Sequence, residues 1–165
     1  MVFHIQSPLG DPDEDRATTS LLIAVFAGEG YTERLRAENM SMPDALRRRG
    51  DILLAKSATG DVLGIVICVC PTSPARQVAG RNEFELHLLA VHPNARGNGV
   101  ATALITACEQ RASSLGYAKM VLSTQPTMRA ARRVYERLGY ERNAVRDWSM
   151  AETRNRYLVY EKSLS

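Results

Sequence analysis

From Val91 to Ala101 the chain runs Val-His-Pro-Asn-Ala-Arg-Gly-Asn-Gly-Val-Ala, placing two glycines and an arginine between a strand-like run and a helical pattern. This combination can bind an anion. The first N–H groups of a helix have no intrahelical acceptor, the helix dipole adds partial positive charge there, and glycines let a phosphate approach the backbone closely. Arg96 adds a cation beside those amides. The spacing excludes two common phosphate cradles: no lysine follows Gly99, as a P-loop requires, and the three glycines of a dinucleotide-binding fingerprint near the start of the chain are missing. An ordinary strand-to-helix turn uses the same two glycines, so the surrounding residues must decide.

Upstream, Glu83, Glu85 and His87 share one strand face by period two. They are either a base and its neighbours or a solvated face of alternating charge. Tyr135 falls in an apolar stripe with Ala131 and Leu138, where a phenol is either a core aromatic or a proton donor. Cys68, Cys70 and Cys108 show neither a CxxC pair nor a Cys/His ligand spacing, so they read as small buried hydrophobes and no metal is expected. Arg129, Arg132, Arg133 and Arg137 crowd one helix, and Arg47, Arg48 and Arg49 form a short run; both groups read first as solvated faces, the alternative being that some meet a ligand's phosphates or a nucleic acid. Trp148 either lines a pocket or anchors a surface loop.

The elements that must position these residues follow from period and punctuation. Val2 to Gln6 is a weak strand, Arg16 to Ala27 a helix stopped by Gly28 and Gly30, and Tyr31 to Arg49 a polar helical region broken near Pro43. Ile52–Lys56 and Val62–Cys70 form a hairpin across a turn-rich loop, and the Pro- and Gly-flanked stretch after it predicts a mobile tip around Ala75 to Ala79. Glu83 to Leu88 alternates strictly and is followed by apolar Leu89, Ala90 and Val91, which suggests a bulge or a fully buried end. A helix from about Gly99 to Leu115, a strand from Ala118 to Thr124, a helix closed by Gly139, and strands at Tyr140–Val145 and Arg156–Lys162 complete the chain. This order implies a parallel strand pair within a mixed sheet.

With 165 residues, 45% apolar and 24% charged, the chain reads as one ordinary globular domain spanning 1–165, without repeats or a linker. The longest apolar stretch, Val62 to Cys70, is far shorter than the roughly 20 residues that span a bilayer, so no membrane association is expected. An N-terminus without a basic then apolar leader, together with an odd cysteine count, predicts a cytoplasmic protein. A net charge of +3 suits an anionic ligand but is too small to argue for nucleic acid.

Arg96-Gly97-Asn98-Gly99-Val100-Ala101 resembles the Gln/Arg-x-x-Gly-x-Gly/Ala signature of the Gcn5-related N-acetyltransferase (GNAT) superfamily. The preceding Leu-His-Leu-Leu-Ala-Val-His-Pro and the later Val134-Tyr135-Glu136-Arg137-Leu138-Gly139-Tyr140 are similar to that superfamily's other landmarks, at their usual separation. The resemblance covers essentially the whole chain. It implies an α/β fold, a mixed twisted sheet with helices on both faces, and an acetyl-CoA-dependent N-acetyltransferase acting on a primary amine by direct attack in a ternary complex. A non-catalytic acyl-CoA-binding regulatory module on the same fold is the alternative.

By the same resemblance Arg96, Gly97, Asn98, Gly99, Val100 and Ala101 would cradle the pyrophosphate, and the main chain of Leu89, Ala90 and Val91 would hold pantetheine where two parallel strands splay. Tyr135 matches the superfamily's general acid, and Glu85, eleven residues before Arg96, takes the place of the catalytic glutamate of several members, with burial expected to raise its pKa. His87 and bulk water are the other candidates for the base. One departure stands out: the asparagine that often binds pantetheine, seven residues before the tyrosine, is replaced here by Met128. The acceptor, a small-molecule or peptide amine, is not legible, and a homodimer, common on this fold, is left open.

Overall fold

A computed structural model describes residues 1–165. Its centre is a sheet of seven strands in the order β1-β2-β3-β4-β5-β8-β6, with an eighth short strand, β7, paired to β8. The strands are β1 (Phe3–Gln6), β2 (Asp51–Ser57), β3 (Val62–Val69), β4 (Glu83–Val91), β5 (Lys119–Thr124), β6 (Glu141–Arg142), β7 (Trp148–Ser149) and β8 (Arg156–Ser163). Every pairing is antiparallel except β4 with β5. The strand–helix–strand rhythm after β4 requires that exception, because a crossover helix returns the chain in the same direction.

The helices α1 (Pro12–Phe26), α2 (Arg34–Met40), α3 (Pro43–Arg49), α4 (Val100–Ser114) and α5 (Arg129–Arg137) divide between the two faces. Strand β3 shows the division most directly. Ile65, Ile67 and Val69 pack with Leu21, Leu22 and Val25 of α1 and Leu46 of α3. Val66 and Cys68 point the other way, into a core shared with Leu104, Ile105 and Cys108 of α4 and Tyr135 of α5. Both faces of β3 are therefore covered, which explains a run that is apolar without alternation. No helix is long and apolar enough to cross a membrane.

Helix α1 begins four residues earlier than its apolar pattern suggests. Asp11 accepts the amide of Glu14 at 2.8 Å, Pro12 occupies the first turn, and Glu14 in turn accepts the amides of Leu9 and Gly10. These polar residues form the cap and so lie outside the hydrophobic stripe. At the other end of the chain the strand expected over Tyr140–Val145 is only Glu141–Arg142, because the backbone turns at Ala144–Arg146.

The break in alternation at the end of β4 is a bulge. The register against β3 shifts between Ile67↔His87 and Ile65↔Ala90, and Leu88 lies there with φ 51°. Across it the side-chain phase inverts: Phe84 and Leu86 face α4 before the bulge, Leu89 and Val91 after it. On the opposite edge the parallel ladder with β5 ends at Leu86↔Leu122, so Leu88 to Val91 have no strand partner on that side. The two parallel strands part there, and the opening is where the clefts form.

Candidate functional site

Two adjoining clefts occupy the opening and share Phe26, Leu89, Met128 and Ala131. The first, about 390 Å³, runs between β4, the end of α1, the start of α4 and α5. Of the nine residues expected to bind a cofactor, Leu89, Ala90, Val91, Arg96, Gly97, Gly99, Val100 and Ala101 line it. Asn98 does not. Its side chain donates to the carbonyls of Ala95 and Arg96, both at 3.1 Å, and so holds the turn's shape.

Gly97 and Gly99 have φ of 77° and 81°, left-handed values that disfavour any side chain. The amides of Gly97 through Thr102 donate to no backbone carbonyl, which leaves a row of N–H groups at the head of α4. Arg96 is not a free cation beside them. Its guanidinium makes a two-pronged pair with Glu29, at 3.0 and 2.7 Å, which ties the segment after α1 to the glycine turn and pushes the arginine pKa up. The cation at this cleft with no carboxylate partner is Arg137, exposed on α5, a residue the sequence pattern assigned to a solvated face.

The second cleft, about 140 Å³, brings together side chains from widely separated segments, Arg36, Arg49, Gln77, His87, Tyr135 and Tyr157 among them. His87 is 5% exposed and held at both nitrogens. An arginine can only donate, so Nδ1 accepts from Arg49 Nη1 at 3.0 Å, and Nε2–H donates to Glu85 Oε2 at 2.6 Å. Glu85 itself is fully buried and does not line the cleft. The amides of Gln77, Val78 and Ala79 donate to its carboxylate at 2.9 to 3.2 Å. Burial alone would raise its pKa, but His87 and those amides outweigh it and hold the carboxyl below the usual range. The expectation of a raised Glu85 is thus corrected: the amides bind the charged form.

The same contacts overturn the mobile tip. Residues 77 to 80 wrap two glutamates, with Gly80 N–H on Glu83 at 2.7 Å, and Ala79 is completely buried. Arg146 closes the wrap by donating to Glu83, Glu161 and the Val78 carbonyl. The polar, Pro-rich composition hid this, because its hydrogen-bond partners lie on β4 and beyond.

Tyr135 lies at the inner wall of the second cleft, 4% exposed, with its ring beside Tyr140 and Tyr160 and its hydroxyl without a partner in the chain. Burial pushes its phenol up, so the proton stays on at any ordinary pH. It is both core aromatic and cleft residue. Met128 lines both clefts, and its sulfur accepts from Thr124 Oγ1 at 3.4 Å. Gln125, the other polar residue nearby, donates to the Tyr31 carbonyl. Trp148 backs the second cleft without lining it: its indole stacks on Tyr157 at 4.4 Å and donates to Ser123 Oγ at 2.9 Å. None of the three cysteines lines either cleft.

Sequence reasoning missed Arg36, Arg49, Met150 and Tyr157. A signal for Arg49 did exist, since three consecutive residues on a helix spread over about 200°, so Arg47, Arg48 and Arg49 cannot all share one narrow face. Arg47 pairs with Asp15 and Asp44, Arg48 is exposed, and Arg49 turns to His87.

Known proteins give the same picture. The chain is 29% identical to N-acetyltransferase 8F1 of Rattus norvegicus over 135 residues, covering 79% of this chain and 59% of that protein. It is 32% identical to N-acetyltransferase family 8 member 2 of the same species over 97 residues, 59% of this chain and 41% of that one, so it spans about half the length of these relatives. In structure it superposes on a GNAT-family acetyltransferase of Staphylococcus aureus Mu50 with a TM-score of 0.74 at 14% identity, covering 99% and 100% of the two chains. An aminoglycoside 6'-N-acetyltransferase complexed with coenzyme A superposes with a TM-score of 0.68 at 18% identity, covering 100% and 98%. The family profile described as Acetyltransferase (GNAT) family matches residues 18–140, and with three quarters of its length so matched the chain belongs to that family.

Proposed function

We propose that the protein is an acetyl-CoA-dependent N-acetyltransferase, moving an acetyl group to a primary amine by direct attack within a ternary complex. The carrying observation is the junction of the two clefts: a row of unbonded amides and an apolar channel on one side, His87 and Tyr135 on the other, with Met128 and Leu89 common to both. The residues present fit the cofactor. The Gly97–Thr102 amides and Arg137 suit a pyrophosphate, and Leu89, Ala90, Val91, Ala131 and Val134 offer an apolar wall to a pantetheine arm. When bound, acetyl-CoA supplies an acetyl group activated as a thioester.

The chain's own residues then have separable tasks. His87 takes the proton lost by the attacking amine, and Glu85 fixes the ring and favours the imidazolium that results. Glu85 thus acts through His87 and touches no substrate. Tyr135 donates a hydrogen bond to the leaving sulfur; its raised pKa makes it a weaker acid than free tyrosine, so the bond stabilises the thiolate without requiring full transfer. Because no cysteine lines either cleft, a covalent acetyl-enzyme would have no thiol nucleophile here.

The test is thiol release from acetyl-CoA with a panel of amines, alongside melting with and without acetyl-CoA. Saturation at 100 times the dissociation constant adds about 2.7 kcal/mol of stability. A melting shift with steady turnover is the expected result. Binding without turnover of any amine would favour the regulatory alternative, and no shift at millimolar acetyl-CoA would end both readings.

A further inference from the structure

The second cleft is cationic where an amine must enter. Its lining includes Arg36 and Arg49 and not one carboxylate; Glu33 and Glu152 stand farther out, on the open basin that continues from it. Neither arginine has a salt bridge. Arg49, half-buried at the end of α3, spends one N–H on His87 Nδ1, and Arg36 directs an N–H at Met150 Sδ, 2.7 Å away, a weak acceptor. Burial, then the neighbouring Arg36 charge, hold the Arg49 pKa below its usual range, and the buried Glu85 carboxylate behind His87 offsets them only in part. Two guanidiniums close enough to repel, with strong donors spent on weak or neutral acceptors, are short of an anion. Around them Phe26, Met40, Leu88, Met150 and Tyr157 supply apolar walls.

We propose that the acceptor is a 2-amino carboxylate with an apolar side chain, its carboxylate held by Arg36 and Arg49. This rests on the transferase reading above and narrows it. An amine with no anion arrives as a cation in a cleft that repels it, whereas a carboxylate on the adjoining carbon offsets the two arginines. An arginine–carboxylate pair adds the attraction of opposite charges, and a two-pronged geometry, that an arginine–imidazole bond lacks, so the carboxylate draws the Arg49 N–H away from His87 and leaves Nδ1 free to accept the amine's proton. The positive field also favours the neutral, nucleophilic form of the amine.

Leucine, leucinamide and 3-methylbutylamine share one apolar body and differ at the carboxylate. With acetyl-CoA, kcat/KM for leucine is expected to exceed that for the other two by about 10- to 100-fold, the worth of one or two charge-assisted bonds. The amide is the stricter control, since its amine loses a proton more easily than that of 3-methylbutylamine. Arg36→Gln, on an exposed helix position, should raise KM for leucine by a similar factor, whereas KM for 3-methylbutylamine, which loses no carboxylate contact and meets one repelling charge fewer, should not rise. In a readout without chemistry, 4-methylpentanoate should raise the melting temperature of the wild type and not of Arg36→Gln or Arg49→Gln.

Equal use of leucine and leucinamide, or an unchanged leucine KM in Arg36→Gln, overturns the proposal. Should no amine be turned over, the transferase reading fails by itself and 4-methylpentanoate decides. A melting shift lost in Arg36→Gln upholds the anion site, and no shift in the wild type removes it.

Discussion

The first cleft is built mostly from main chain and small apolar side chains in two stretches, Leu89 to Thr102 and Met128 to Arg137, whereas the second gathers its polar side chains, set among apolar ones, from separate segments spread between Thr32 and Tyr157. A site made of backbone amides needs glycine at fixed spacing before a helix, and that requirement is visible in a string of letters. Long-range pairing of Arg49 with His87, or of Gln77, Val78 and Ala79 with Glu85, leaves no such trace. On the proposed reading the difference predicts separable defects: variants of the first cleft should change acetyl-CoA affinity, and variants of the second should change turnover.

Tyr135→Phe carries the largest expected effect. It removes a hydroxyl that has no partner in the chain, so no polar group is left unsatisfied and the ring keeps its packing against Tyr140 and Tyr160. Turnover should fall by about 10² to 10³, the typical loss on removing one donor to developing negative charge, while the dissociation constant of acetyl-CoA stays put. Pre-steady-state thiol release and calorimetric titration together check this. Unchanged turnover would confine Tyr135 to the core.

Gly99→Val probes the other side. A β-branched residue at φ 81° costs about 1–3 kcal/mol or forces the turn to rearrange, and either outcome disturbs the amide row. Acetyl-CoA affinity should fall about tenfold or more, with kcat at saturation nearly retained. Equal affinity in the variant would show that the cradle is not where the cofactor's phosphates sit.

Legibility followed the same division. The parallel β4–β5 pair, the hairpin, the helix after Gly99 and the bulge at the end of β4 were all present as period and its interruption. Capping residues were missed at Asp11 and Pro12, since a polar first turn carries no hydrophobic signal. The tip at 75–79 was misread because composition reports solvation, and these amides are solvated by a buried carboxylate instead of water. In the candidate site the turn stood out by spacing, Tyr135 and Glu85 only through the resemblance to the family's landmarks, and Arg36 and Arg49 not at all, since their orientation depends on how α2 and α3 dock.

Glu85→Gln separates positioning from stability. The folded-state pKa of Glu85 lies below its unfolded value, so its contribution to stability is fully present above that value, near 4.3, and is lost as pH falls through the folded pKa. An amide keeps the volume but turns an NH2 toward N–H donors, and should cost about 1–3 kcal/mol at pH 7. The gap in denaturation midpoint between wild type and variant should shrink below pH 4. A gap constant with pH would mean that the carboxylate's charge contributes nothing to folding.

The smallest effect is expected at the most conspicuous cation of the motif. Arg96 is 45% exposed and its charge is matched by Glu29, which is 34% exposed. A half-exposed pair of this kind contributes about 0.2–1 kcal/mol, so Arg96→Gln should shift melting by no more than a few degrees. Its effect on acetyl-CoA affinity should also be modest, because a guanidinium already paired with a carboxylate presents little net field to a phosphate. Arg137 has no such partner, and removing it should cost more affinity and flatten the dependence of binding on ionic strength. Titrating acetyl-CoA into Arg96→Gln and Arg137→Gln at low and high salt ranks the two. A larger loss in Arg96→Gln would mean that bound phosphate displaces Glu29, making the pair a latch released by the cofactor and the glycine turn a less complete cradle than its free amides suggest.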